Sequence, residues 1–329
     1  MADVASREMR RRLVAHLRRR GYLRDRRIGE AFLDVPREVF LPEEHRRGGL
    51  AGVYRDDAIV TRRDPSTRAP TSSSSQPAIM AMMLEMLAVE PGHRVLEIGA
   101  GTGYNAAILD HLAGPDGLVV TVDLDVDVAA GAARALWALG SRVHVVVADG
   151  AQGMPGMAPR PGPPPRRGID RMMVTASSDT VPRAWHEQLD PGPGSRLVVP
   201  LRLSDDVDRA HAVTAFVRVD EGFDSVAVTA GGFMPLRRPT PTSPGSPGSS
   251  GSPGSPPFTK IWPPPGSPGS PEPPSAATPP TRLRGPLVDL ARNDVSRLRI
   301  VVRYGDDRPA SRWVIRRDDH WLGVDRVVA

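Results

Sequence analysis

Two short stretches carry the residue types best suited to chemistry. In "VLEIGAGTGYNAA", Gly99, Gly101 and Gly103 stand at every second position behind Glu97. Glycines so spaced let the backbone turn sharply and let a ligand approach without meeting a side chain. A dinucleotide would require G-x-G-x-x-G, with helix N–H groups on its pyrophosphate. The spacing here is G-x-G-x-G, and an acid precedes it. That suits a cationic ligand with an amino-acid end, such as S-adenosylmethionine, better than a polyanion. Asp123 ends one apolar run and Asp149 follows another. At strand ends, Asp123 can accept from both ribose hydroxyls and Asp149 from an adenine amino group. Either acid alone could be a helix cap. Three successive strand ends at one crevice favour a ligand. The expected cofactor set is Glu97, Gly99, Gly101, Thr102, Gly103, Asp123, Leu124, Asp149 and Gly150.

The second stretch is "TSSSSQPAIMAMMLEML", residues 71–87. Four serines, Gln76 and Pro77 precede an amphipathic helix. Ser75 can be read as a helix cap with Pro77 in the first turn. The residues by themselves favour that cap, and the alternative is that the hydroxyls face a substrate.

The rest of the chain must position these two stretches. It has 329 residues, enough for one or two domains with a sizeable core, and no cysteine, so disulfides and thiolate metal sites are excluded. The net charge is +5 and Lys260 is the only lysine. The arginines are spread, apart from Arg10–Arg12 and Arg18–Arg20, and accompany abundant Ala, Gly and Pro. This reads as a composition bias rather than a nucleic-acid surface. No run of about 18 apolar residues exists to span a membrane. The charged N-terminus is unlike a signal peptide, and a cytoplasmic monomer is expected.

Periodicity predicts helices over 5–20, 26–34 and 78–88, the last with Ile79, Met82, Met83, Met86 and Leu87 as a core stripe. Residues 46–70 read as loop. Apolar strands at 94–98, 118–122, 143–147, 169–175 and 196–200 alternate with helices at 104–113, 126–139 and 181–189. That pattern predicts an α/β fold with a mostly parallel sheet covered on both faces. Segments 211–218 and 225–230 alternate more, as an antiparallel edge would. Residues 239–281 are Pro/Gly/Ser repeats, read as a disordered linker in which "FTKIW" could be a docking patch. A Pro-rich insert, 156–168, reads as a surface loop. The expected divisions are 1–70, a helical and loop region; 71–238, the catalytic domain; 239–281, the linker; and 282–329, a small β-rich extension. That extension is short for a core of its own, so it should pack on the main domain, where it could also grip a peptide by strand addition.

"VPREVFLPEE", "SQPAIMAMMLEML", "GHRVLEIGAGTGYNAA", "VVADGAQG" and "RLVVPL" together resemble the protein-L-isoaspartate O-methyltransferases over about 26–236. With "GTGYNAA" and "GFMPLR" (Gly232–Arg237), the chain looks nearest to an actinobacterial FxLD-type, lanthipeptide-associated branch. The resemblance implies a Rossmann-like class I methyltransferase with a seven-stranded sheet and S-adenosylmethionine as donor. The acceptor would be an aspartyl or isoaspartyl carboxylate of a peptide or protein. It implies that Ser75 contacts the acceptor, that Ser74 or Thr71 assists, and that Gln76 touches the cofactor or the substrate backbone. The segment "RRDPSTRAPTSSSSQP" is longer and more polar than its counterpart in the repair enzymes. This favours a dedicated peptide over general isoaspartate repair. Arg62, Arg63 and Arg68 could steer an acidic peptide or simply be solvated. The histidines show no metal-ligand spacing. A base methyltransferase would need an aromatic motif where "TASSD" stands. A nicotinamide enzyme fails on glycine spacing, and an inactive peptide-binding module is disfavoured by the intact loop.

Overall fold

The chain begins with α1 (Ala2–Arg19) and α2 (Arg26–Asp34), the second capped by Asp25, whose side chain accepts from the Arg27 and Ile28 N–H groups. This computed structural model describes residues 2–155, 168–202, 211–237, 239, 298–304, 311–317 and 320–321. The expected linker 239–281 with "FTKIW", and nearly all of the 156–168 insert, lie outside the described residues. A 3-10 turn, Arg37–Phe40, and two single-turn helices, α3 (Glu43–Arg46) and α4 (Leu50–Val53), follow.

The expected loop 46–70 contains α4 and a strand, β1 (Ile59–Arg63), which pairs antiparallel with β2 (Pro70–Ser74). Ile59 faces Ser74 and Val60 faces Ser73, and the register shifts on either side of Arg62. Asp64 closes the hairpin by accepting from the Ser66 and Thr67 N–H groups. Serine and arginine give no apolar alternation, so the strand was invisible to periodicity; hairpin pairing creates it. Helix α5 (Pro77–Leu87) then buries Met80, Met83, Leu84 and Leu87. Of the expected stripe, Met83 and Leu87 are in the core, Ile79 and Met86 pack half-buried against it, and Ile79 and Met82 also line a cavity.

The predicted alternation follows in register: β3 (Arg94–Ile98), α6 (Tyr104–Ala113), β4 (Leu118–Asp123), α7 (Val126–Ala138), β5 (His144–Val147), β6 (Arg171–Val174), α8 (Arg183–Gln188) and β7 (Arg196–Arg202). The five strands are parallel in the order β7-β6-β3-β4-β5. β8 (His211–Val219) and β9 (Gly222–Ala230) add antiparallel. These seven make the expected sheet. β10 (Leu298–Tyr304), β11 (Ser311–Arg317) and β12 (His320–Trp321) extend it to ten.

Alternation along the central strand feeds two cores. Val95 joins the helices α1, α2, α5 and α6 on one face, with Leu17, Phe32, Leu84 and Ile108. Leu96 and Ile98 join Trp185 of α8 on the other. The extension belongs to that second core: Ile300 and Val302 are fully buried, and the Tyr304 hydroxyl donates to Val181 O at 3.0 Å. It packs on the main domain, as its length predicts.

Beyond the carboxyl end of β3 the chain order reverses, β4 lying to one side and β6 to the other. Open parallel sheets place ligands at this switch point. Among the described residues no helix is long and apolar enough to cross a membrane, and no cluster of three His, Asp or Glu side chains could hold a metal.

Candidate functional site

A cavity of about 720 Å³ opens at the switch point. That is within the size of small-molecule sites, about 300–1,000 Å³. One wall is the loop after β3 together with the ends of β4 and β5, represented by Glu97, Gly99, Gly101, Thr102, Asp123, Leu124 and Gly150. The opposite wall is β2 and the first turn of α5, including Thr71, Ser74, Ser75 and Gln76. The two stretches singled out from the sequence therefore face one space. They touch: a Cβ on Gly101 would lie 3.3 Å from Ser73 O.

The glycines have protein reasons as well as ligand reasons. Gly99 has φ 99°, and a Cβ there would lie 2.3 Å from Thr175 Oγ1. That hydroxyl donates to Gly99 O at 2.7 Å and locks the loop to β6. Gly103 is off the cavity wall. It packs on Ala132 of α7 and starts α6. Asp149 is also off the wall; its Oδ1 accepts from Ala151 N at 2.9 Å and caps the 3-10 turn Gly150–Gln152, while Gly150 itself lines the cavity.

Glu97 is fully buried and accepts from Asn105 Nδ2 at 2.7 Å and Thr121 Oγ1 at 2.5 Å. Burial pushes its carboxyl up to about 7; the two hydrogen bonds pull it down, and the Asp123 charge adds to the rise. Asn105 lines the cavity, and its Oδ1 is buried with no hydrogen-bond partner. An ammonium group beside Glu97 would satisfy that oxygen. Asp123 Oδ2 accepts from Gly101 N at 3.1 Å and Oδ1 from Asp125 N at 3.0 Å. A carboxylate has further lone pairs, so a ribose diol can still be accepted. The donor set fits S-adenosylmethionine: an acid and an orphaned acceptor for the amino-acid end, a second acid for the ribose, and bare backbone between them.

On the opposite wall the helix-cap reading of Ser75 does not hold. Gln76 is the N-cap, without a side-chain bond to the helix. Asp56 Oδ1 takes the Ala78 N–H at 2.8 Å, and Gln76 Nε2 donates to Asp56 O at 3.0 Å. The Ser75 side chain makes no hydrogen bond among the described residues, and Thr71 Oγ1 is buried without a partner. Ser74 Oγ instead accepts from Arg37, Nε and Nη2 each at 3.3 Å. Two free hydroxyls and one held hydroxyl thus meet the cavity.

Salt bridges tie this wall to its surroundings. Arg62 pairs with Asp125 at 2.5 Å and reaches Asp127 at 3.5 Å, and Arg237 approaches the same Asp125 at 3.8 Å. Asp125 caps α7 through the Asp127 and Val128 N–H groups. Arg62 therefore anchors the hairpin to the donor side. Arg63 stays within the hairpin turn, donating to Arg68 O at 3.1 Å. Arg37, Asp56, Asn105, Thr175 and His211 are not singled out as site residues by the sequence. Each matters through residues more than seven positions away, and no spacing rule reports that. His211 lines the cavity with Nδ1 3.0 Å from Ser177 Oγ.

Comparison with known proteins agrees with this geometry. Residues 8–234 match the family described as protein-L-isoaspartate(D-aspartate) O-methyltransferase. A protein-L-isoaspartate O-methyltransferase of Methanopyrus kandleri is 40% identical over 201 residues, 60% of this chain and 79% of that protein. One of Hyperthermus butylicus is 36% identical over 239 residues, 70% of this chain and 89% of the other. A solved protein-L-isoaspartate O-methyltransferase superposes with a TM-score of 0.59 at 33% identity, covering 70% of this chain and 66% of its own. A Plasmodium falciparum structure, described as bound to S-adenosyl-L-homocysteine, shares the fold with a TM-score of 0.54 at 16% identity, covering 68% of this chain and 96% of its own.

Proposed function

This chain belongs to the protein-L-isoaspartate(D-aspartate) O-methyltransferase family, and from that premise we propose that it methylates the carboxylate of an isoaspartyl residue in a protein or peptide. As a member of the family it is an S-adenosylmethionine-dependent methyltransferase. The observation that carries the proposal is the pairing of walls: an acid-and-glycine wall faces hydroxyls with no partner across one cavity.

Bound S-adenosylmethionine supplies an electrophilic methyl on a sulfonium. The rest falls to side chains. Glu97 and Asn105 would hold the ammonium end and Asp123 the ribose. Gly150, beside the Asp149 cap, would lie by the base. Ser75 and Thr71 would donate to the acceptor carboxylate and orient it for the transfer. No residue has to take a proton, because the acceptor is ionised at neutral pH. Positioning is the main contribution.

A narrower reading assigns one dedicated peptide, with an aspartyl or isoaspartyl acceptor, in natural-product modification, as in the FxLD-type branch. The polar hairpin that presents the serines, and a β extension lying beyond the matched residues 8–234, support it. Methyl transfer from labelled donor distinguishes the readings. Comparable turnover of unrelated isoaspartyl peptides supports general repair. Turnover confined to the peptide encoded beside the gene supports the narrow reading. No transfer to either, with the donor product bound, sinks both.

A further inference from the structure

Arg37 lies behind the serine wall. It is fully buried. A buried guanidinium ordinarily meets a carboxylate, because an unpaired buried charge is costly. Here every hydrogen-bond partner among the described residues is neutral: Ser74 Oγ and the carbonyls of Val53, Arg55, Asp57, Ser74 and Ser75. Tyr104 covers it, with its ring centroid 5.9 Å from the guanidinium carbon. The nearby acids are spent elsewhere: Asp56 on Ala78 N and His16, Asp57 on Arg55. Arginine remains charged despite burial. A positive charge therefore stands, without a countercharge in contact, directly behind the residues that face the acceptor.

The geometry also fixes a hydrogen. Ser74 Oγ accepts two guanidinium N–H groups, which uses its lone pairs. Its own hydrogen must point away from Arg37, and Ser74 lines the cavity. Ser75 O is held by Arg37 Nη2 at 2.9 Å, so the backbone that carries the Ser75 hydroxyl cannot turn freely.

We propose that Arg37 is a positioning and specificity-determining residue for the acceptor: it orients the Ser74 and Ser75 donors, and its charge makes this wall select an anionic carboxylate over the isosteric carboxamide. Neutral hydroxyls alone would not discriminate, since an amide carbonyl accepts from them as well. This proposal rests on the reading of the site as a carboxyl methyltransferase.

The test uses the full chain with donor product bound, and two peptides: one isoaspartyl, one with that carboxyl replaced by carboxamide. The amide is read as a competitive inhibitor. The wild type is expected to bind the acid at least about tenfold more tightly than the amide, the size of a charge-assisted hydrogen bond. Arg37→Gln should bring the two within about twofold, with donor-product affinity changed less than about threefold. Arg37→Lys should keep the acid preference while lowering kcat, because the charge stays and the fork is lost. Should Arg37→Gln not fold, Ser74→Ala replaces it: KM for the acid should rise about tenfold with the acid preference retained. Equal binding of acid and amide by the wild type, or a preference unchanged in Arg37→Gln, overturns the proposal even if methyl transfer is found; so does an unchanged KM in Ser74→Ala. Absence of methyl transfer by the wild type would instead sink the parent reading.

Discussion

The donor wall of the cavity is drawn from one run of chain, Glu97 to Gly150, whereas the acceptor wall is the hairpin strand Pro70–Ser74 with Ser75 and the first turn of α5, held in place by Arg37, Asp56 and Asp125. On the donor side each residue sits where a parallel strand ends, and the pleat and hydrogen-bond ladder of the sheet set its position. On the acceptor side a two-stranded hairpin has no such support. An isolated hairpin is marginal, so polar links to other elements hold it. One of these links is a buried arginine and another is a partly exposed ion pair. The difference separates rigid recognition of the donor from an acceptor wall whose geometry depends on distant side chains.

Four measurements would break or sharpen that contrast. Asp123→Ala should have the largest effect. It removes the ribose acceptor and the support of Gly101 N, each a charged hydrogen bond. Donor-product Kd should rise about 100-fold by calorimetry. A change below about fivefold would remove Asp123 from the donor wall. Next, Ser75→Ala should lower turnover about 10- to 100-fold with donor-product Kd within about twofold. Unchanged methylation would free Ser75 of an acceptor role.

The third concerns pH. The folded pKa of Glu97, about 7, lies above the ordinary 4.5. The folded protein therefore binds the extra proton. The stability from this group is present below 4.5 and is lost as pH rises through about 7. An ammonium beside Glu97 favours its ionised form. Donor affinity should thus strengthen between pH 6 and 8, by at most about tenfold per unit below the pKa. Glu97→Gln should flatten that profile, and an identical profile in both proteins would place the ammonium elsewhere. The smallest effect is expected for Arg62→Ala. This pair is 41% exposed on the arginine side, so it should be worth under about 1 kcal/mol. Acceptor KM should shift about two- to threefold, while donor Kd holds.

The extension adds a second contrast. Ile300 and Val302 are buried in the same core as Phe216 and Phe223. Removing β10 therefore uncovers the interior instead of merely trimming a surface module.

The sequence by itself determined the sheet and the donor wall. Apolar runs at 94–98, 118–122 and 143–147, the first two each followed by a helix with its own start and stop, mark where strands end. Strand ends in turn fix where Glu97, Gly99 and Asp123 stand. Those signals are local, because a pleat has period two and a helix about 3.6. The tertiary structure alone decided the acceptor wall. It made a strand of Pro70–Ser74, three serines with no apolar alternation, moved the helix cap from Ser75 to Gln76 and Asp56, and set a buried Arg37 behind Ser74. It also turned Ile79 and Met82 toward the cavity and took Gly103 and Asp149 off its wall. These outcomes depend on polar groups finding partners from 20 to more than 60 positions away. Hydrogen bonds at that separation leave no trace in spacing, since either partner alone is an ordinary surface residue until the fold brings the other to it.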